Sequence, residues 1–144
     1  MRWLEVAELS IGNYSFREVG PRRYVVSVDP DKLREAVELV VKEDSYLSTI
    51  SAVDLPKEGA IELNYVFWSI KHRAALIVKT RVSRERPVVP TIVDIIPGAL
   101  GGELEAYDLF GVVFEGNARL RRGFLVPEDL TSKGVYPMRK DAGV

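Results

Sequence analysis

The chain has 144 residues, 47% hydrophobic and 28% charged, with 20 Lys and Arg against 21 Asp and Glu and a formal net charge of -1. This is the composition of one globular domain with a buried core, and its charge balance excludes a nucleic-acid binder working by blanket phosphate neutralisation. Cysteine is absent and His72 is the single histidine, which excludes disulfides, thiolate nucleophiles, cysteine-held clusters and imidazole-rich metal sites within this chain.

At the N-terminus, Arg2 and Glu5 stand where a signal peptide needs an apolar run. The longest uncharged stretch, Ser45 to Val53, falls far short of the roughly 20 residues that span a bilayer, so the chain is expected to be soluble by itself. Arg22 to Val28 mixes β-branched and aromatic residues and predicts a strand. Asp29-Pro30-Asp31 follows as an aspartate cap with proline in the first turn. It opens an amphipathic helix with Leu33, Val37, Val40 and Val41 on one face, ending near Glu43-Asp44. Tyr46 to Leu55 predicts a strand whose inner face the alternation leaves open. After the turn Pro56 to Gly59, Ala60 to Ile70 is the strongest strand pattern, with Ile61, Leu63, Tyr65 and Phe67 on one side and Glu62, Asn64, Val66 and Trp68 on the other. Lys71-His72-Arg73 turns into a further strand, Ala74 to Val82, which completes a hairpin, and Pro87 ends the pairing.

Pro90 to Pro97 reads as a helical turn or an extended crossing. Gly98 to Phe110 predicts a short helix with Leu100, Leu104 and Tyr107 in line and Gly111 as its C-terminal cap. Gly101-Gly102 lacks the lysine and the full glycine pattern of a phosphate loop and reads as a hinge. The order of elements predicts an α+β two-layer domain: a mixed or mostly antiparallel sheet with helices on one face, plus an irregular C-terminal tail. The expected division is a core over 1–116 and a basic docking tail over 117–144.

Charge separates sharply in the last third. Gly98 to Glu115 holds Glu103, Glu105, Asp108 and Glu115 with no basic residue. Beyond Asn117, Arg119, Arg121, Arg122, Lys133, Arg139 and Lys140 outnumber Glu128, Asp129 and Asp141. A tail with so little hydrophobic periodicity must be solvated, pinned to its own acidic helix, or docked on a partner.

The run Glu103-Leu-Glu-Ala-Tyr-Asp-Leu-Phe-Gly-Val-Val-Phe-Glu-Gly-Asn-Ala-Arg-Leu-Arg-Arg, then Pro127-Glu-Asp-Leu and Tyr136-Pro-Met-Arg-Lys-Asp141, resembles the 30-kDa subunit family of respiratory complex I, the NADH-quinone oxidoreductase. That family includes subunits of energy-converting, membrane-bound nickel–iron hydrogenases and formate hydrogenlyases. The matching positions are Glu103, Glu105, Tyr107, Asp108, Leu109, Phe110, Gly111, Phe114, Gly116, Leu120, Arg122, Pro137, Arg139, Lys140 and Asp141. Three positions depart from the pattern. Leu104 replaces an arginine, Gly116-Asn117-Ala118 replaces Gly-His-Pro, and Leu130 stands near a missing tryptophan. These departures, in a short chain, favour the hydrogenase-type or archaeal branch.

The resemblance implies a non-catalytic scaffold in the peripheral arm of a membrane-bound redox complex, on the inner face of the cell membrane. It implies no cofactor in this chain and iron–sulfur or nickel–iron centres in the parent complex. The implied partners are a large catalytic subunit and a small iron–sulfur subunit, with no nucleic acid. The implied docking residues are Glu103, Glu105, Tyr107, Asp108, Phe110, Gly111, Arg119, Arg122, Pro137, Arg139, Lys140 and Asp141.

Other readings of the same residues are open. Glu103, Glu105 and Asp108 could serve a small hydrolase as paired carboxylates, Glu105 and Asp108 sharing a helix face at i, i+3. Acids in a first turn more simply face the helix dipole, and Arg119, Arg121 or Arg122 can pair with them. Tyr107 and Phe110 suit either an interface or the core, Leu104 the core, and His72 a solvated loop. The abundance of Arg and Glu points to a thermophilic source.

Overall fold

The computed structural model describes residues 7–140 and 142. Period-2 alternation builds β5 (Ala60–Ser69) and β6 (Ala74–Ser83) near the middle of a six-stranded sheet. Ile61, Leu63, Tyr65 and Phe67 of β5 are fully buried on one face, beside Leu76 and Val78 of β6. Glu62, Asn64, Val66 and Trp68 are half-buried on the other. The remaining strands are β1 (Glu8–Ile11), β2 (Tyr14–Gly20), β3 (Arg23–Ser27) and β4 (Ser45–Leu55), in the order β1-β2-β3-β6-β5-β4. Every pairing is antiparallel except β3 with β6, so the sheet is mixed. Helices α1 (Leu33–Val41) and α2 (Leu100–Phe110) cover its inner face, which makes the domain α+β with two layers.

Helix α1 forms as its pattern requires, burying Leu33, Ala36, Val37 and Val40. The expected aspartate cap does not. The side chain of Asp29 makes no capping bond, and a 3-10 turn over Pro30–Lys32 leads into the helix instead, with the Lys32 N–H donating to the Asp29 carbonyl. The ambiguity in β4 has a physical cause. A bulge between Leu47 and Thr49 shifts its register against β5, so the inward phase changes from Leu47 to Ile50, Ala52 and Asp54. Residues 8–20, where no element was expected, form the hairpin of β1 and β2. It turns at Gly12, whose φ of +60° favours glycine and where an added Cβ would also press on the Leu39 side chain at 2.9 Å.

His72 is not a solvated loop residue. Its ring is half-buried with Nε2 3.0 Å from the Glu43 carboxylate, and its backbone N–H donates to Ser69 Oγ. The ring, with Lys71 beside it, holds the Glu43 carboxyl below its ordinary value. A short parallel pair, β7 (Val88–Pro90) and β8 (Val113–Glu115), joins the segments flanking α2. The last regular element is the single turn α3 (Glu128–Thr131). Among the described residues no helix is long and apolar enough to cross a membrane.

Candidate partner-docking site

Helix α2 is where the sequence motif becomes geometry. A 3-10 turn over Pro97–Ala99 precedes it, and Gly111 closes it in the left-handed region at φ +80°. Its buried residues are Glu103, Leu104, Ala106, Asp108 and Phe110, so two acids point inward and the apolar stripe is narrow.

Glu103 is fully buried. Its carboxylate accepts from Thr91 Oγ1 at 2.6 Å, the Ile92 N–H at 2.8 Å and Asn117 Nδ2 at 2.9 Å. It therefore ties the strand-to-helix crossing to the start of the C-terminal segment rather than facing solvent at a helix dipole. Burial pushes its carboxyl above the ordinary value, and the three hydrogen bonds only partly oppose that. The Tyr65 hydroxyl is buried with no hydrogen-bond partner among the described residues, and desolvation, then the charge of Glu103, raise its pKa strongly.

Asp108, also fully buried, anchors the other end of the segment. One oxygen accepts from Arg122 Nε and the Gly123 N–H, both at 2.9 Å. The second accepts from the N–H groups of Leu125 at 2.7 Å and Val126 at 2.8 Å. Burial pushes this carboxyl up, yet the three backbone donors and the Arg122 guanidinium outweigh it and hold it at about 2. Of the three outcomes open to the tail, the described residues show it pinned to its own acidic helix, and Arg122 is the arginine that pairs with it.

Further contacts continue the strap. The Arg122 guanidinium lies 4.2 Å from the centre of the Tyr136 ring, and that ring covers Gly111, where a Cβ would meet it at 3.2 Å. Arg139 donates to the carbonyls of Phe110 and Arg84 at 2.8 and 2.7 Å, which satisfies a free carbonyl at the end of α2. The Lys140 N–H donates to buried Asp54 at 2.8 Å, a carboxylate already gripped by Arg84 and held low mainly by it. Gly111→Ala therefore adds a left-handed backbone penalty to a ring contact. It is expected to lower stability by ~1–2 kcal/mol, read as a drop in Tm of the isolated chain.

The expected site residues separate into groups. Glu103, Asp108, Gly111, Arg122, Arg139 and Lys140 meet in this strap, and Phe110 is core. Tyr107 and Pro137 are half-buried, while Glu105 and Arg119 are exposed. Asp141 lies outside the described residues. Sequence reasoning missed Asp54, Arg84, Thr91, Asn117 and Tyr136 as contributors. The available signals were an acid on an otherwise uncharged strand, for Asp54, and a polar residue at the motif's histidine position, for Asn117. The carboxylates of Glu103, Glu105 and Asp108 do not converge: two serve separate sets of donors and the third faces out. The hydrolase reading thus has no carboxylate pair to work with. Among the described residues no cluster of His, Asp and Glu is placed to hold a metal ion.

The sequence pattern of the family described as "Respiratory-chain NADH dehydrogenase, 30 Kd subunit" matches residues 26–144. An NADH-quinone oxidoreductase subunit of Moorella thermoacetica is 37% identical over 97 residues, covering 67% of this chain and 63% of that protein. An F(420)H(2) dehydrogenase subunit of Methanosarcina mazei is 31% identical over 123 residues, covering 84% and 76%. This chain thus spans a little under two thirds of the Moorella protein and about three quarters of the Methanosarcina one. Among solved structures, a chain of the membrane-bound sulfane sulfur reductase, an archaeal respiratory membrane complex, aligns at a TM-score of 0.78 and 30% identity, covering 97% of this chain and 78% of that one. The trypsin-resistant fragment of Nqo5 aligns at 0.62 and 25% identity, covering 74% and 89%.

Proposed function

Because the chain belongs to the respiratory-chain NADH dehydrogenase 30 Kd subunit family, we propose that it is a non-catalytic scaffold subunit in the peripheral arm of a membrane-bound respiratory redox complex, of complex I or hydrogenase type. Residues 1–116 form the core, and the segment 117–144, held on that core through Asp108, docks by the exposed side chains of its loop at Phe124 on a large catalytic subunit and a small iron–sulfur subunit. Iron–sulfur or nickel–iron centres belong to those partners, and the chain is peripheral, on the inner face of the membrane.

One observation carries this reading. Asp108 fixes the loop at Gly123, Leu125 and Val126, and the loop leaves Phe124 and Leu125 39% and 54% exposed. Arg121 lies over the Phe124 ring, and exposed Arg119 stands nearby in sequence. Large apolar side chains on a rigid loop with an arginine rim suit an interface anchor better than a free surface. The names of the relatives agree: they act with NADH, F420H2 or sulfane sulfur, and a chain common to such different chemistries suits assembly rather than turnover.

An affinity pull-down of the tagged chain from gently solubilised membranes of its native host tests this. The expected result is co-recovery of a large catalytic and a small iron–sulfur subunit, identified by mass spectrometry. The double variant Phe124→Asp, Leu125→Asp is expected to lower that recovery about tenfold or more at unchanged Tm. Recovery of the chain alone, from the soluble fraction, would overturn the proposal.

A further inference from the structure

The C-terminal segment is not the only surface shaped for another chain. Strand β4 lies at the edge of the sheet, eleven residues long and paired on one side with β5 alone. Among the described residues, no backbone group of β4 bonds to any element other than β5. Exposed edges are normally blunted by lysines, prolines, inward charges or bulges. From Ser45 to Leu55 this strand has no Lys, Arg, Glu or Pro. Its one charge, Asp54, is buried against Arg84 at the far end, and its bulge lies near the start, leaving Thr49 to Leu55 regular. The opposite edge, β1, is only four residues long and carries Glu8.

Helix α2 runs beside this open edge and leaves a groove. Two adjoining hollows of about 250 and 210 Å³ share Thr49, Ile50 and Glu105 as lining. Ala52, Leu109 and Met138 give the groove apolar walls. Its width is set by Gly102, where a Cβ would meet the Ile50 side chain at 3.1 Å. Among the described residues Glu105 is the one charged side chain lining either hollow. It is exposed and has no hydrogen-bond or ion-pair partner among the described residues.

We propose that this groove takes an extended segment of a partner protein, which adds as a strand beside β4 and sets a lysine or arginine against Glu105. Each part of that occupant answers to a feature of the groove. The unpaired backbone asks for an extended chain, because only that geometry completes the ladder. The apolar walls take every second side chain of such a strand. The uncompensated carboxylate selects a cation. A second copy of this chain fits less well, since pairing β4 with β4 sets two Glu105 carboxylates along one seam. The inference rests on the proposed function only in drawing the partner from the same complex, since neither hollow is lined by a residue of the loop at Phe124.

Hydrogen exchange of the intact complex isolated from host membranes, compared with the free chain, tests it. The amides between Thr49 and Leu55 that point away from β5 are expected to exchange about tenfold or more slowly in the complex. Glu105→Lys, a change at an exposed position, is expected to lower co-recovery of the complex about tenfold at unchanged Tm, with Glu105→Gln losing less. Equal exchange of β4 in the complex and the free chain would overturn this inference and leave the scaffold reading intact. Unchanged recovery of Glu105→Lys would also overturn it. Protection of β4 that rises with the concentration of the free chain would make the occupant a second copy, again against the proposal. Recovery of the chain without any partner would overturn both readings.

Discussion

Replacing Asp108 with alanine is expected to release the C-terminal segment from the domain. The substitution strips acceptors from three backbone N–H groups and leaves the half-buried Arg122 guanidinium without its counter-ion. Removing one partner of a buried charge pair costs about 3–5 kcal/mol, a large part of the ~5–15 kcal/mol that holds a domain of this size together. Trypsin should then cut after Arg119, Arg121 and Arg122 roughly tenfold faster or more, because local opening governs cleavage. The pH dependence has a fixed sign. Asp108 titrates at about 2 in the folded chain, below the ordinary 3.8, so its contribution is complete above that ordinary value. It is lost as pH falls through about 2, and amounts to roughly 2 kcal/mol by linkage. In denaturant titrations the gap between wild type and variant should narrow by about 2 kcal/mol between pH 7 and pH 2. A variant that resists trypsin like the wild type would show that the strap does not depend on this carboxylate.

Replacing Glu103 with alanine is expected to cost roughly 3 kcal/mol or more, since three donors lose their acceptor at a buried position. Those donors belong to Thr91, Ile92 and Asn117, so the crossing into α2 and the start of the C-terminal segment loosen together. Here the pH sign is opposite. Burial raises the Glu103 carboxyl in the folded chain, so its contribution is complete below the unfolded value and declines as pH rises through the raised folded one. The stability gap between wild type and Glu103→Ala should therefore be widest near pH 4 and narrow toward neutrality, as measured by denaturant titration across that range. A gap that widens with pH would show that the carboxylate is stabilised as an anion. Two acids five residues apart on one helix are thus expected to titrate in opposite directions. The difference lies in burial, which prevails at Glu103 over three neutral donors, whereas at Asp108 four donors including a guanidinium outweigh it.

The elements that follow a simple period were legible in the sequence. Strands β5 and β6 alternate cleanly because one face of each is fully buried, and α1 repeats its apolar residues at helical spacing. Strand β4 was legible as a strand but not in its phase, because one extra residue at the bulge moves every later side chain to the other face. Helix α2 was legible in its extent and in its glycine cap. Its orientation was not, because hydrophobic periodicity cannot signal a face that buries Glu103 and Asp108. The C-terminal motif named Asp108, Arg122 and Arg139 as a group. Their partners include backbone groups of Leu125, Val126, Phe110 and Arg84, which a side-chain motif does not encode. Asp54 was hidden for a related reason, its donors lying 30 and 86 residues away in the chain.

The reading of this chain as scaffold rather than catalyst is tested most directly in its host. The gene is deleted and restored as wild type or as the Phe124→Asp, Leu125→Asp variant. The amount of assembled complex in the membrane and the turnover per assembled complex are then measured separately. A scaffold that docks through this loop predicts much less assembled complex with the variant, and wild-type turnover in each complex that forms. Full assembly with lost turnover would contradict it and place the chain in the chemistry itself.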